Sequence, residues 1–166
     1  MRVSLKFWFF RHYWWLLLLV SAIMIVVLGR NLEGVITVIG VALSVVFFLQ
    51  KQRLEEIRLF REIFADCNAR YDELNEDLNA IVSGPQDENL TQEQRDTLMD
   101  YFNLCGEEFL YYRQGYLYPE VWQAWLNGMK VFFKNPRIAV VWSNEKESKS
   151  YYGLEHETAL NPETSQ

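Results

Sequence analysis

"GVITVIGVALSVVFFL", Gly34 to Leu49, runs without a break into "QKQRLEEIRLFREIFADCNARYDELNEDLNAIV", Gln50 to Val82. The first stretch is sixteen residues with no charge, whereas the second carries five cations and eight anions and has neither proline nor glycine. Nothing from Leu49 to Arg53 would stop a helix, so the two read as one helix that passes from apolar on every face to amphipathic. In the second stretch Ile57, Phe60, Phe64, Cys67, Tyr71, Leu74, Leu78 and Ile81 recur at steps of three and four, an unbroken heptad stripe. At about 1.5 Å per residue this part alone reaches roughly 50 Å from a membrane surface. The stripe suits a coiled coil between chains or packing on later helices of the same chain. Aromatic residues at its core positions are larger than coiled-coil seams prefer, which favours packing within the chain.

Upstream, "YWWLLLLVSAIMIVVLG" (Tyr13 to Gly29) is a second uncharged run, separated from Gly34 only by Arg30, Asn31, Leu32 and Glu33. A membrane span takes about 20 residues, and both runs reach that length once interfacial residues are counted. Backbone groups in lipid must be bonded internally, so two such runs with a tight turn predict a helical hairpin. Trp8, Tyr13, Trp14 and Trp15 fit an aromatic belt at one interface. Arg2, Lys6 and Arg11 precede the first run, and Lys51, Arg53, Arg58 and Arg61 follow the second. Positive residues stay inside, so both termini are expected in the cytoplasm. A cleaved signal peptide accounts for the first run but not for the second, and no A-x-A site follows. Gly40 and Ser44 form a small-xxx-small pair suited to close helix packing, inside the hairpin or between subunits.

Downstream, Ser83-Gly84-Pro85 ends the long helix. Thr91 to Gln94 reads as a capping box opening a helix whose face is Leu98, Phe102, Cys105, Phe109 and Tyr112, stopped by Gly115. Pro119 sits where a first helical residue belongs, and Val121, Trp122, Trp125, Leu126, Met129 and Phe133 follow at helical spacing. Asn135-Pro136 breaks that helix and allows a short last one from Arg137 to Trp142. From Ser143 the chain turns polar. The expected organisation is all-α: a transmembrane hairpin over 1–49 (spans about 13–29 and 34–49), a small cytosolic helical domain over 50–142, and a mostly disordered tail over 143–166 in which Tyr151, Tyr152 and Leu154 are candidates to dock.

Signs of catalysis are few. The only histidines, His12 and His156, are far from any nucleophile or metal set, and the sequence holds no phosphate loop or GxGxxG. Cys67 and Cys105 lie on apolar faces and read as reduced core thiols. Glu107-Glu108 and Asp72-Glu73 are adjacent carboxylates, which do not face each other on a helix. No enzyme, cofactor or metal is expected. The net charge of −6 argues against DNA or long RNA as a partner. One segment departs from that acidity: residues 119–142 hold three cations and one anion. Lys130 and Lys134 share a helix face, and Arg137 opens a helix whose free N–H groups favour an anion. Trp142, Phe133 and Trp125 offer stacking surfaces for a base, and Arg113 is placed to join them from the preceding helix. The competing reading gives these residues ordinary duties, with lysines complementing a helix C-terminus and tryptophans filling a core.

The stretch from Tyr101 to Trp142 resembles the C-terminal region of an uncharacterised family of small bacterial membrane proteins, through Phe102, Glu107 or Glu108, Gly115, Pro119, Glu120, Pro136 and Trp142. In its layout the chain also resembles the membrane effectors attached to type III CRISPR systems, which are similar in size and join two spans to a helical cytoplasmic domain. That resemblance implies an oligomeric domain that binds a cyclic oligoadenylate and then damages the membrane. Two expectations follow. The first is a multi-pass protein of the bacterial inner membrane, a homo-oligomeric, non-enzymatic sensor and effector with an anionic nucleotide-like ligand at Lys130, Lys134, Arg137, Trp142 and Arg113. The second is a membrane-anchored adaptor for a protein partner, with no small-molecule ligand.

Overall fold

The computed structural model describes Trp15 and residues 18–27, 32–86 and 88–154. Among these residues the structure is all-α, with no strand. An apolar helix, α1, spans Leu18–Val27. It is followed by α2 (Leu32–Ser83), α3 (Gln92–Arg113), α4 (Pro119–Phe133), α5 (Pro136–Glu145) and a 3-10 turn, Lys146–Ser148. The chain divides into two compact units, Met1–Leu59 and Phe60–Gln166.

In the first unit, the N-terminal part of α2 is apolar on all faces and almost wholly exposed: Ile36, Val41, Leu43, Phe47 and Phe48 all project outward. A water-soluble core helix would bury such residues. α2 is the one helix among the described residues long and apolar enough to cross a membrane. Ser44 donates its hydroxyl hydrogen bond to the Gly40 carbonyl of its own helix (2.9 Å), and a Cβ at Gly40 would meet nothing within 4 Å. Of the turn expected over Arg30 to Glu33, Leu32 and Glu33 already belong to α2, whereas Arg30 and Asn31 lie outside the described residues, as do both ends of the first apolar run, His12 and His156.

The second unit is a helical bundle. Here the heptad stripe packs on the chain's own helices. Phe60 meets Tyr118 edge-on, Phe64 stacks on Trp125, and Tyr71 packs on Tyr101 and Phe132. The main core joins Leu78 and Ile81 of α2 to Leu98, Phe102, Cys105 and Phe109 of α3, Trp122, Met129 and Phe133 of α4, and Ile138, Val141 and Trp142 of α5. A smaller cluster gathers Ile63, Cys67, Leu104 and Leu117. The helix boundaries follow the local chemistry. Thr91 and Gln94 close a reciprocal capping box at 3.1 and 3.2 Å. Gly115 takes φ 79° after α3, a conformation open to glycine, and Pro119 starts α4.

The boundary expected at Ser143 is displaced. α5 runs on to Glu145, and Tyr151 and Leu154, 4% and 0% exposed, are part of the main core. Apolar side chains at these two positions are enough to hold a polar segment down. Gly106 of α3 lets it close in, since a Cβ there would already touch Tyr151 at 3.4 Å. Tyr152, the third candidate to dock, is exposed.

Candidate functional site

None of the described clefts is lined by the cations singled out from the sequence together. Asn135 caps α5 by accepting from the Arg137 backbone N–H at 3.0 Å, and its side-chain amide donates to the Val82 carbonyl at 3.4 Å. Arg137 Nη1 donates to the Ile81 carbonyl at 3.1 Å, and Nη2 reaches Gln94 Oε1 at 3.5 Å. The final carbonyls of a helix have no partner of their own, so Asn135 and Arg137 together close the C-terminus of α2. Gly84 makes room for this, because a Cβ there would lie 3.0 Å from Arg137 Nη1. Lys130 lies in the last turn of α4 and Lys134 is its C-cap, both placed to complement the helix dipole. Arg113 donates to the Tyr152 carbonyl at 2.7 Å and lies over the Phe109 ring. Trp142 offers no stacking face: it is 5% exposed and packs edge-on against Phe102 and Phe133 at 5.0 and 5.1 Å. Phe133 is buried with it, and Trp125 is occupied on one face by Phe64.

Arg137 does line a cleft, but with a cation the sequence reading passed over. An open cleft of about 360 Å³ is bordered by Arg95, Arg137, Asn89, Asn144 and Glu88. With Gln86 also on its border, it holds two guanidinium groups, three amides and one carboxylate, and is the most cation-rich of the clefts described. The fork of a guanidinium suits phosphate or carboxylate oxygens.

A second polar cluster forms where α2 meets α3. Arg70 donates two hydrogen bonds to the Glu107 carboxylate and approaches Asp66 at 3.9 Å. Bonding to Glu107 holds the guanidinium pKa above its ordinary value. Cys67 and Cys105 are free and buried. Burial pushes the Cys67 thiol up to about 12 and Cys105 well above its ordinary value, so both stay protonated at neutral pH. Among the described residues no group of three His, Cys, Asp or Glu side chains is placed to hold a metal ion.

The third feature was not anticipated. Glu108, beside the ion-paired Glu107, is 7% exposed, the only buried charged residue among those described. Burial raises its carboxyl from 4.5 to about 8, with Arg70 pulling down and Glu107 pushing up. It lines a cavity of about 190 Å³ together with Asn68, Tyr71, Tyr101, Trp125 and Met129. Its signal in the sequence was position. Glu108 lies three residues after Cys105 and seven after Tyr101, within the apolar face of α3.

Comparison of the chain with protein-family models, curated proteins and solved structures gave no match. Fold and site therefore define a class from the chain's own features: among the described residues, all-α, with one helix apolar enough to span a membrane and a helical bundle that holds both a cationic cleft and an aromatic cavity.

Proposed function

We infer that this is a non-enzymatic sensor and effector anchored in the bacterial inner membrane. A two-span hairpin holds both termini in the cytoplasm, and the cytosolic helical bundle takes up a ligand and biases the hairpin. The observation that carries this reading is the continuity of α2: one helix, Leu32–Ser83, supplies the apolar segment and also Cys67, Leu78 and Ile81 of the bundle's interior. A ligand that shifts the bundle acts on the same helix that enters the membrane. The layout shared with type III CRISPR membrane effectors directs the ligand class to a cyclic oligoadenylate bound by an oligomer. The Arg95–Arg137 cleft supports an anionic ligand better than the Lys130–Lys134 face, because it gathers two guanidinium groups over one opening.

The test uses full-length protein in dye-loaded vesicles. Cyclic oligoadenylate is expected to trigger release. A charge-assisted contact contributes about 1.5–3 kcal/mol, so Arg95→Ala should weaken the response roughly tenfold to a hundredfold. Lys130→Ala and Lys134→Ala should leave it unchanged. Arg137→Ala should lower both the response and the melting temperature, since it also unties α2. Reporter fusions at Gln166 and after Asn31 should place the first inside and the second outside. Vesicles that stay sealed with every cyclic oligoadenylate would sink the sensor reading.

Two observations favour the second reading, an adaptor for a protein partner. Arg137 is already bonded within the chain, and Val131 and Val140 stand 67% and 64% exposed. Recovery of a single stoichiometric partner, lost on Val131→Asp or Val140→Asp, would decide for it.

A further inference from the structure

We propose that the cavity between α2, α3 and α4 binds a small organic ammonium ion, held by the Glu108 carboxylate and the aromatic side chains that line it. This site is separate from the Arg95–Arg137 cleft, and the inference does not rest on the function proposed above. A cavity of about 150 Å³ holds a molecule the size of benzene; at about 190 Å³ this one accepts a ligand of that order, such as a trimethylammonium head. Three helices build it: Asn68 and Tyr71 come from α2, Tyr101 and Glu108 from α3, and Trp125 and Met129 from α4. Tyr71 and Tyr101 lie 6.5 Å apart and inclined at 51°, and Trp125 is held in place by its stack on Phe64. Ring faces are electron-rich and attract a cation, most strongly when it is desolvated.

The carboxyl is what makes the cavity selective. Glu108 is 93% buried by the complement of its 7% exposure, and among the described residues no hydrogen bond or ion pair reaches its carboxyl. The nearest cation, Arg70, is already committed to Glu107. The other titratable groups facing Glu108 are Cys67 and Tyr71 on α2 and Tyr101 and Cys105 on α3, all with raised values and neutral at pH 7. α4 lines the cavity with Ala124, Trp125, Gly128 and Met129, none of them titratable. A buried acid without a counter-ion in an aromatic cavity is complementary to one kind of visitor, a cation with apolar substituents. Its arrival displaces the proton that Glu108 otherwise holds.

Choline and its neutral isostere 3,3-dimethyl-1-butanol are the probes, titrated calorimetrically into full-length protein in a non-ionic detergent. Choline is expected to bind. Because it competes with a proton, its affinity should rise about tenfold from pH 6 to pH 7 and level off above about 8. Proton release, read from the dependence of the heat on buffer ionisation, should accompany binding at pH 6. The alcohol should bind at least tenfold more weakly at pH 8. Glu108→Gln, which keeps the shape and removes the charge, should lose at least tenfold for choline at pH 8. The inference fails if choline does not bind at pH 8, if the two probes bind alike, or if binding releases no proton. The last measurement uses the unaltered chain and so stands even if Glu108→Gln were to unfold.

Discussion

Glu108 is a carboxyl that folding buries without bonding it to a cation, since Arg70 nearby is paired with Glu107. Its folded value of about 8, up from 4.5, means that the native state keeps a proton which the unfolded chain gives up. The sign follows from proton counting. Where the native state binds more protons, stability falls as pH rises, here across the window from about 4.5 to 8 and by up to about 1.4 kcal/mol per pH unit. Below that window the contribution is fully present, and above it the loss is complete. Glu108→Gln removes this dependence. Denaturant unfolding at a series of pH values should give wild-type and variant curves that lie close at pH 4 to 5 and diverge steadily to pH 8, with the variant the more stable. Parallel curves would mean that Glu108 is hydrated in the native state. Adjacent residues on a helix differ by about 100° in direction, so Glu107 and Glu108 can meet different surroundings. Which of them is buried depends on how α3 is rotated against α2, and Arg70 pairs with the other, Glu107.

Along α2 the stripe read from the sequence is present but unevenly used. Cys67, Leu78 and Ile81 are buried, Tyr71 and Leu74 are half-buried, and Ile57 and Phe64 are 38% and 39% exposed. Ile63, off the stripe, is buried in place of Phe64. The reason lies in the neighbours: Phe60 meets Tyr118 and Phe64 stacks on Trp125, whereas Leu78 and Ile81 join the main core. A buried stripe residue is worth about 2–5 kcal/mol, and along α2 that cost falls on the enclosed positions rather than on Phe64. Leu78→Ala should cost about 2–5 kcal/mol in denaturant unfolding, because its side chain is fully enclosed. Phe64→Ala should cost less than about 2 kcal/mol, since it loses one face of stacking on Trp125 rather than a sealed position. Equal losses at both positions would mean that a partner surface covers Phe64 in solution, as a coiled coil between chains would.

For the molecule as a whole, the extent of the packed bundle is open to direct test. A chain ended after Leu154 keeps Tyr151 and Leu154 in the core, whereas one ended after Trp142 leaves the Trp142 ring bare where Tyr151 packs at 5.0 Å. Burying a large apolar side chain contributes about 1.5–3 kcal/mol, so losing both is large against ordinary domain stabilities of about 5–15 kcal/mol. The first truncation should melt with the full-length protein. The second should melt well below it or fail to fold. Equal melting of the two would return the domain boundary to residue 142.

The sequence by itself determined the helical class, the apolar run that makes α2 long enough for a membrane, the capping box at Thr91, the stop at Gly115 and the restart at Pro119. Each is local chemistry: periodicity, a side chain reaching its own helix end, or a backbone angle that one residue type supplies. Only the tertiary structure decided what the charged and aromatic residues do. Arg137 closes the end of α2 because Ile81 lies beside it, though 56 positions away in the chain. Trp142 is core because Phe102, Phe133 and Tyr151 surround it, and Glu108 faces a cavity because three helices leave one there. A cation near a break and an acid on a helix look the same in sequence whether they serve a ligand or the fold. The difference is which distant backbone carbonyl, ring or empty volume the packing brings to them.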